Sequence, residues 1–79
     1  MNVPMMLSPA EIGAKLKKLR GELTVARVSL DTGIGISAIN NYEAGLRTPR
    51  DEAKIRLAHY YGTTVEDIFY THDDTKRAI

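Results

Sequence analysis

The 79-residue sequence contains no cysteine, so no disulfide can brace it. That absence fits a reducing compartment, and a cytoplasmic protein is the expectation. Histidine is scarce as well. His59 and His72 are the only soft ligands, too few for a structural zinc site, and no metal or cofactor is expected. Long apolar runs are missing, so nothing in the chain reads as a bilayer span. The opening Met1-Asn2-Val3-Pro4-Met5-Met6-Leu7 has no basic residue and is broken by Pro4, which argues against a secretory signal. No internal repeat and no strand-like alternation stands beside the helix signals described below. A strong charge of one sign is also lacking, since the formal net charge is +1. Its distribution is uneven: nine Lys/Arg face six Asp/Glu from Glu11 to Arg56, but two face four from Leu57 to Ile79. This balance permits nucleic-acid binding without requiring it.

What is present is one domain near the lower size limit for an unaided core. The chain is organised around Thr24 to Glu43, which reads as two short helices, about Thr24–Thr32 and about Ile36–Ala44. Gly33-Ile34-Gly35 joins them. Gly33 can end a helix in the left-handed conformation, Ile34 can plug inward, and Gly35 can start the next helix. Two helices turning on a glycine after so short a break have the form of a helix-turn-helix.

Before this unit, Ser8-Pro9-Ala10-Glu11 has the cap, first-turn proline and capping-box acid of a helix start. Ile12, Leu16 and Leu19 follow as a single apolar stripe, with Lys15, Lys17, Lys18 and Arg20 mostly off it as a solvated face. In the helix from Ile36, Ala38, Ile39 and Tyr42 fall on one side at 100° per residue. Ile36, Ser37, Asn40 and Asn41 fall on the other. That outer side is polar but uncharged, where an ordinary solvated face would carry Lys and Glu. Thr48-Pro49-Arg50-Asp51 predicts a fourth helix capped at Thr48, with Pro49 at its first position, running to about Tyr61. Ile55, Leu57, Ala58 and Tyr61 would form its apolar side. Gly62 stops it, and Thr64-Val65-Glu66-Asp67 starts a short fifth helix with Ile68 and Phe69. The expected organisation is a loose arm over 1–7, the domain over 8–70 and a frayed tail over 71–79.

The order of these parts resembles the Cro/phage-repressor type of helix-turn-helix domain, the Xre family, from about Ile12 to Phe69. The resemblance rests on Leu19-Arg20, Leu23-Thr24, Gly33-Ile34, Ile39, Tyr42-Glu43-Ala44-Gly45, Pro49, Leu57-Ala58, Tyr61-Gly62 and Ile68-Phe69. It implies an all-α, compact five-helix, lambda-repressor-like fold. It further implies a structural ion pair between Arg20 and Glu43, and base contacts in the major groove from Ile36, Ser37, Asn40 and Asn41. Thr24, Arg47 and Arg50 would meet the DNA backbone. The implied protein is a sequence-specific regulator, a repressor of phage, mobile-element or toxin–antitoxin type. It would bind a pseudo-palindromic double-stranded operator as a homodimer. Ile68, Phe69 and Tyr70 of the last helix are the candidate dimer contact, with closure of the core the equal alternative for Ile68 and Phe69. Departures from the family pattern are a shorter link from Arg20 to Thr24, Val25 in place of a glutamine, Gly35 in place of a Ser/Thr cap, and Thr32 in place of a core leucine.

Gly33-Ile34-Gly35-Ile36-Ser37-Ala38 also fits the dinucleotide fingerprint G-x-G-x-x-A, but that motif needs a preceding strand, and here a capped helix precedes it. Ser37 has no G-x-S-x-G elbow and neither histidine sits in a triad motif, so no enzyme is expected. The competing reading is a helix-turn-helix fold used for protein contact without DNA, which the low net charge and the uncharged third helix would suit.

Overall fold

In the computed structural model, which describes residues 5–71, Ser8 caps α1 (Pro9–Arg20) as the sequence predicts. The Ser8 hydroxyl accepts from the Glu11 N–H at 3.2 Å, and the Glu11 carboxylate returns to the Ser8 N–H, closing the capping box. Thr24 caps α2 (Val25–Thr32), its hydroxyl accepting from the Arg27 N–H at 3.0 Å. Gly33 ends α2 at φ 77°, a conformation that a Cβ would strain. After it come α3 (Ile36–Glu43), α4 (Asp51–Tyr60) and α5 (Val65–Phe69), the last capped by Thr64. The fold is all-α with five helices, as the sequence predicts, and among the described residues extended pairing is limited to one bridge.

The core is assembled from short stripes on every helix. Ile12 and Leu16 of α1, Val28 of α2, Ile34 of the turn, and Ile39 and Tyr42 of α3 are buried together with Leu57, Ala58, Ile68 and Phe69. α3 packs chiefly on α1 and also on α2, so it is held from behind by the first helix. Gly13 makes this possible. It is buried in α1, and a Cβ there would lie 2.5 Å from the Glu43 carbonyl oxygen and 2.7 Å from that of Tyr42.

Several expectations are corrected. α4 starts at Asp51, with Arg50 as an N-cap that makes no side-chain cap bond, rather than at a Thr48 cap. Pro49 is buried in the connection before α4 and does not open the helix. Asp51 and Glu52 supply negative charge to the first turn. Ile55 is exposed, and the inward position beside Leu57 and Ala58 belongs to Lys54. The Lys54 stem is covered, while its ammonium lies 5.8 Å from the Phe69 ring centre, 5.5 Å from that of Tyr70, and 3.7 Å from the Asp51 carboxylate. Lys15 is not simply solvated: it donates to the Asp67 carbonyl at 2.8 Å, satisfying an end group of α5. Leu19, placed on the apolar stripe, is exposed.

Both ends of the domain are tied down where they were expected to be loose. The Leu7 N–H donates to the Phe69 carbonyl and the Thr71 N–H to the Met5 carbonyl, each at 2.8 Å, pairing Met6 with Tyr70 in antiparallel fashion. The remainder of the expected arm, residues 1–4, and of the expected tail, residues 72–79, lies outside the described residues. Ile68 and Phe69, offered as dimer contacts, are instead fully interior and close the core.

Candidate nucleic-acid interface

The geometry of this region begins with α3. Ile39 and Tyr42 anchor it inward, which turns Ile36, Ser37 and Asn40 to solvent and leaves Asn41 half-buried beside them. Ile36 retains 49% of its accessible surface. Among the described residues, no intramolecular hydrogen bond engages the side chains of Ser37, Asn40 or Asn41. Gly35 precedes the helix in extended conformation and gives no side-chain cap.

The angle of α3 is set by contacts at both of its ends. At the start, the Thr32 hydroxyl donates to the Val28 carbonyl at 2.7 Å and accepts from the Ile34 N–H at 3.1 Å. A threonine in place of the family's leucine thus spends its hydroxyl on the turn itself. At the other end, the structure brings Arg20 and Glu43 together. The guanidinium donates through Nε at 2.8 Å and Nη2 at 3.0 Å to the two carboxylate oxygens, and through Nη1 to the Leu23 carbonyl at 2.7 Å. The side chains are only 18% and 10% exposed. The Glu43 carboxylate raises the Arg20 pKa further above its ordinary value. Beside the pair, burial first and the Glu43 charge second push the Tyr61 hydroxyl up to about 12.

α2 is fixed against α4. The Tyr60 hydroxyl donates to the Asp31 carboxylate at 2.7 Å, and Arg27 donates to the same oxygen at 3.0 Å. The Tyr60 bond, then the Arg27 bond and charge, hold the Asp31 carboxyl below its usual range, and Asp31 raises Tyr60 in turn. Sequence spacing gave no sign of this cross-link, because its members are 29 residues apart.

Arg47 and Arg50 follow α3 on the connection to α4, both exposed and, among the described residues, with side chains that have no hydrogen-bond or ion-pair partner. They border a shallow groove of about 310 Å³ floored by Ile34, Tyr42 and Ala53. Glu52 and Arg56 of α4 complete its rim. Thr24 is exposed at the opposite end of the helix-turn-helix, its hydroxyl accepting the cap bond. The region therefore has a polar, uncharged helix face bordered by arginines on a constrained loop.

A family model described as a helix-turn-helix domain matches residues 11–68. The chain belongs to that family. Membership is consistent with the Cro/Xre-type reading of the sequence and supports a DNA-binding role for this helix-turn-helix domain. No curated protein and no solved structure matches it at a significant level. The matched span runs from within α1 to within α5 and stops one residue short of the buried Phe69. No helix among the described residues is long and apolar enough to cross a membrane. Arg56 is the residue of this region that the sequence did not single out. Its i,i+4 relation to Glu52 was legible, but its reach to the α2–α3 turn was not.

Proposed function

We propose that this helix-turn-helix domain is a sequence-specific transcriptional regulator, a repressor of phage, mobile-element or toxin–antitoxin type, acting in the cytoplasm. α3 enters the major groove with Ile36, Ser37, Asn40 and Asn41, while Thr24, Arg47 and Arg50 hold the backbone. The observation that carries this reading is the outer face of α3, whose amides and hydroxyl have no partner among the described residues. An asparagine amide offers the donor and acceptor that match N6 and N7 of adenine, and the Ile36 methyls suit the thymine methyl. Without Arg or Lys on this face, the common bidentate guanine contact is missing. A homodimer on a pseudo-palindrome completes the specificity that one short helix cannot supply. With Ile68 and Phe69 interior, half-buried Tyr70 remains for that contact, and exposed Leu46 and Ile55 are among the apolar residues that can join it.

Selection of bound sites from a random duplex library tests the whole reading. The expected product is an inverted repeat with half-sites about one helical turn apart, rich in A·T beneath Ile36 and Asn41. Unrepeated sites, or G·C at the centre of each half-site, would overturn it. On the best site, Asn41→Ala is expected to weaken binding by about 1–3 kcal/mol and to relax one base pair, leaving non-specific binding nearly unchanged. Equal weakening on every sequence would instead make Asn41 a backbone anchor. Arg50→Ala should weaken all duplexes and flatten the dependence of log K on log salt by about 0.9 for one lost phosphate contact. An unaltered slope would remove Arg50 from the phosphate contacts.

A second reading, protein contact without DNA, draws on Leu30, Leu46 and Ile55, which are large, apolar and exposed. Failure of the wild-type domain to bind any duplex at low salt would favour it.

A further inference from the structure

We propose that the groove between the α2–α3 turn and the start of α4 holds a DNA backbone phosphate, and that Glu52 competes with that phosphate for Arg56. The inference rests on the DNA-binding reading and adds to it a phosphate ligand in the middle of α4 and a built-in competitor. Three arginines, Arg47, Arg50 and Arg56, line the same concavity, and Glu52 is the one acidic residue among those lining it. Collecting three like charges around one open space is unfavourable unless an anion is shared among them, and the planar fork of Arg suits phosphate.

Arg56 differs from the other two arginines in how it is held. Its Nη1 donates to the Thr32 carbonyl at 3.2 Å, at the end of α2, and its Nη2 donates to the Glu52 carboxylate at 2.7 Å. The Glu52 side chain is 80% exposed against 49% for Arg56. The carboxylate can therefore swing into water while Thr32 keeps the guanidinium in place. An exposed i,i+4 ion pair is weak, so little stability is lost when a phosphate oxygen takes over Nη2. Phosphate bound there also touches the group that braces the turn aiming α3. Glu52 thus lowers affinity for every duplex alike, which tunes the strength of backbone binding and leaves the ratio of operator to non-specific affinity to the base contacts.

The test is titration of the intact protein with a random-sequence duplex, followed by anisotropy over a salt series of roughly 50–200 mM. Glu52→Gln leaves the Arg56–Thr32 contact intact and is expected to tighten binding about threefold to tenfold at the lowest salt, where rim charges act most strongly. Arg56→Gln is expected to flatten the salt slope by about 0.9. Arg56→Lys keeps the charge and should keep the slope, which separates phosphate binding from bracing of Thr32. An Arg56→Gln slope equal to wild type, or Glu52→Gln binding no tighter, overturns the proposal while the steep wild-type slope leaves the DNA-binding reading standing. Absence of wild-type binding at low salt defeats both. A further arm measures thermal shifts with inorganic phosphate at constant ionic strength. Stabilisation by phosphate that Arg56→Gln abolishes, with no change of its DNA salt slope, would assign the groove to a free anion and reject the DNA phosphate.

Discussion

Arg20→Met is expected to destabilise the domain by about 3 kcal/mol, well beyond the ~0.2–1 kcal/mol of an exposed ion pair. The bidentate geometry and the low exposure of both side chains place this pair nearer the buried limit. Methionine can fill much of the space of the arginine stem, but it leaves Glu43 as a largely covered carboxylate with no partner. It also releases the Leu23 carbonyl, which the same guanidinium holds. One residue therefore fastens the end of α1, the link to α2 and the end of α3. For a chain of this size, whose total stability is on the order of 4–12 kcal/mol, such a loss is a large fraction. Urea unfolding of wild type, Arg20→Met, Glu43→Gln and the double variant measures it. The double variant should be less damaged than the sum of the singles, since the stranded charge is gone. Four equal midpoints would show that the pair contributes nothing.

The parts of the fold that the sequence made legible are those written in local chemistry. Ser8, Thr24 and Thr64 announce helices because a cap needs only a hydroxyl and the next turn of backbone. Gly33 marks the turn because φ 77° excludes most other residues. The apolar side of α3 follows from Ile39 and Tyr42 alone. What escaped depends on distant neighbours. Pro49 looks like a helix opener, but it is buried in the connection and α4 starts two residues later. Lys54 gives no local sign of its inward place, because nothing within a few residues reveals the Phe69 and Tyr70 rings near its ammonium. Ile55 is the mirror case, an apolar residue read as core because the lysine beside it was not. The pairing of Met6 with Tyr70 joins two segments that each lack any strand pattern. In the candidate interface, the outward set on α3 followed from helical periodicity. The groove did not, since Arg56 joins Arg47 and Arg50 only through the packing of α4 against the α2–α3 turn.

Gly13→Ala should lower stability by about 2–3 kcal/mol, although the same change in an exposed helix interior usually stabilises by ~0.5–1 kcal/mol. A mid-helix glycine looks like a weakness when α1 is read by itself. Its reason lies on the facing helix, where the carbonyls of Tyr42 and Glu43 come within 2.7 and 2.5 Å of the place a Cβ would occupy. These are backbone atoms and cannot rotate away. Restoring an ordinary separation of 3.4 Å from 2.5 Å requires α1 and α3 to part by about 1 Å, which is overpacking. The same displacement stretches the Arg20–Glu43 bonds, now 2.8 and 3.0 Å, because Glu43 is one of the residues pushed. The costs of Gly13→Ala and Arg20→Met should accordingly be less than additive, each spoiling part of what the other would remove. α3 carries the residues proposed to read bases, so the displacement would also tilt them against the arginines proposed to grip the backbone. At a temperature where the variant stays folded, its preference for the selected operator over random duplex should fall more than its random-duplex affinity. Ala14→Gly, at an exposed neighbouring position, supplies the control for helix propensity alone. A rise in the Gly13→Ala melting temperature, with operator preference intact, would show that the two helices have room to spare and that Gly13 does not set the position of α3.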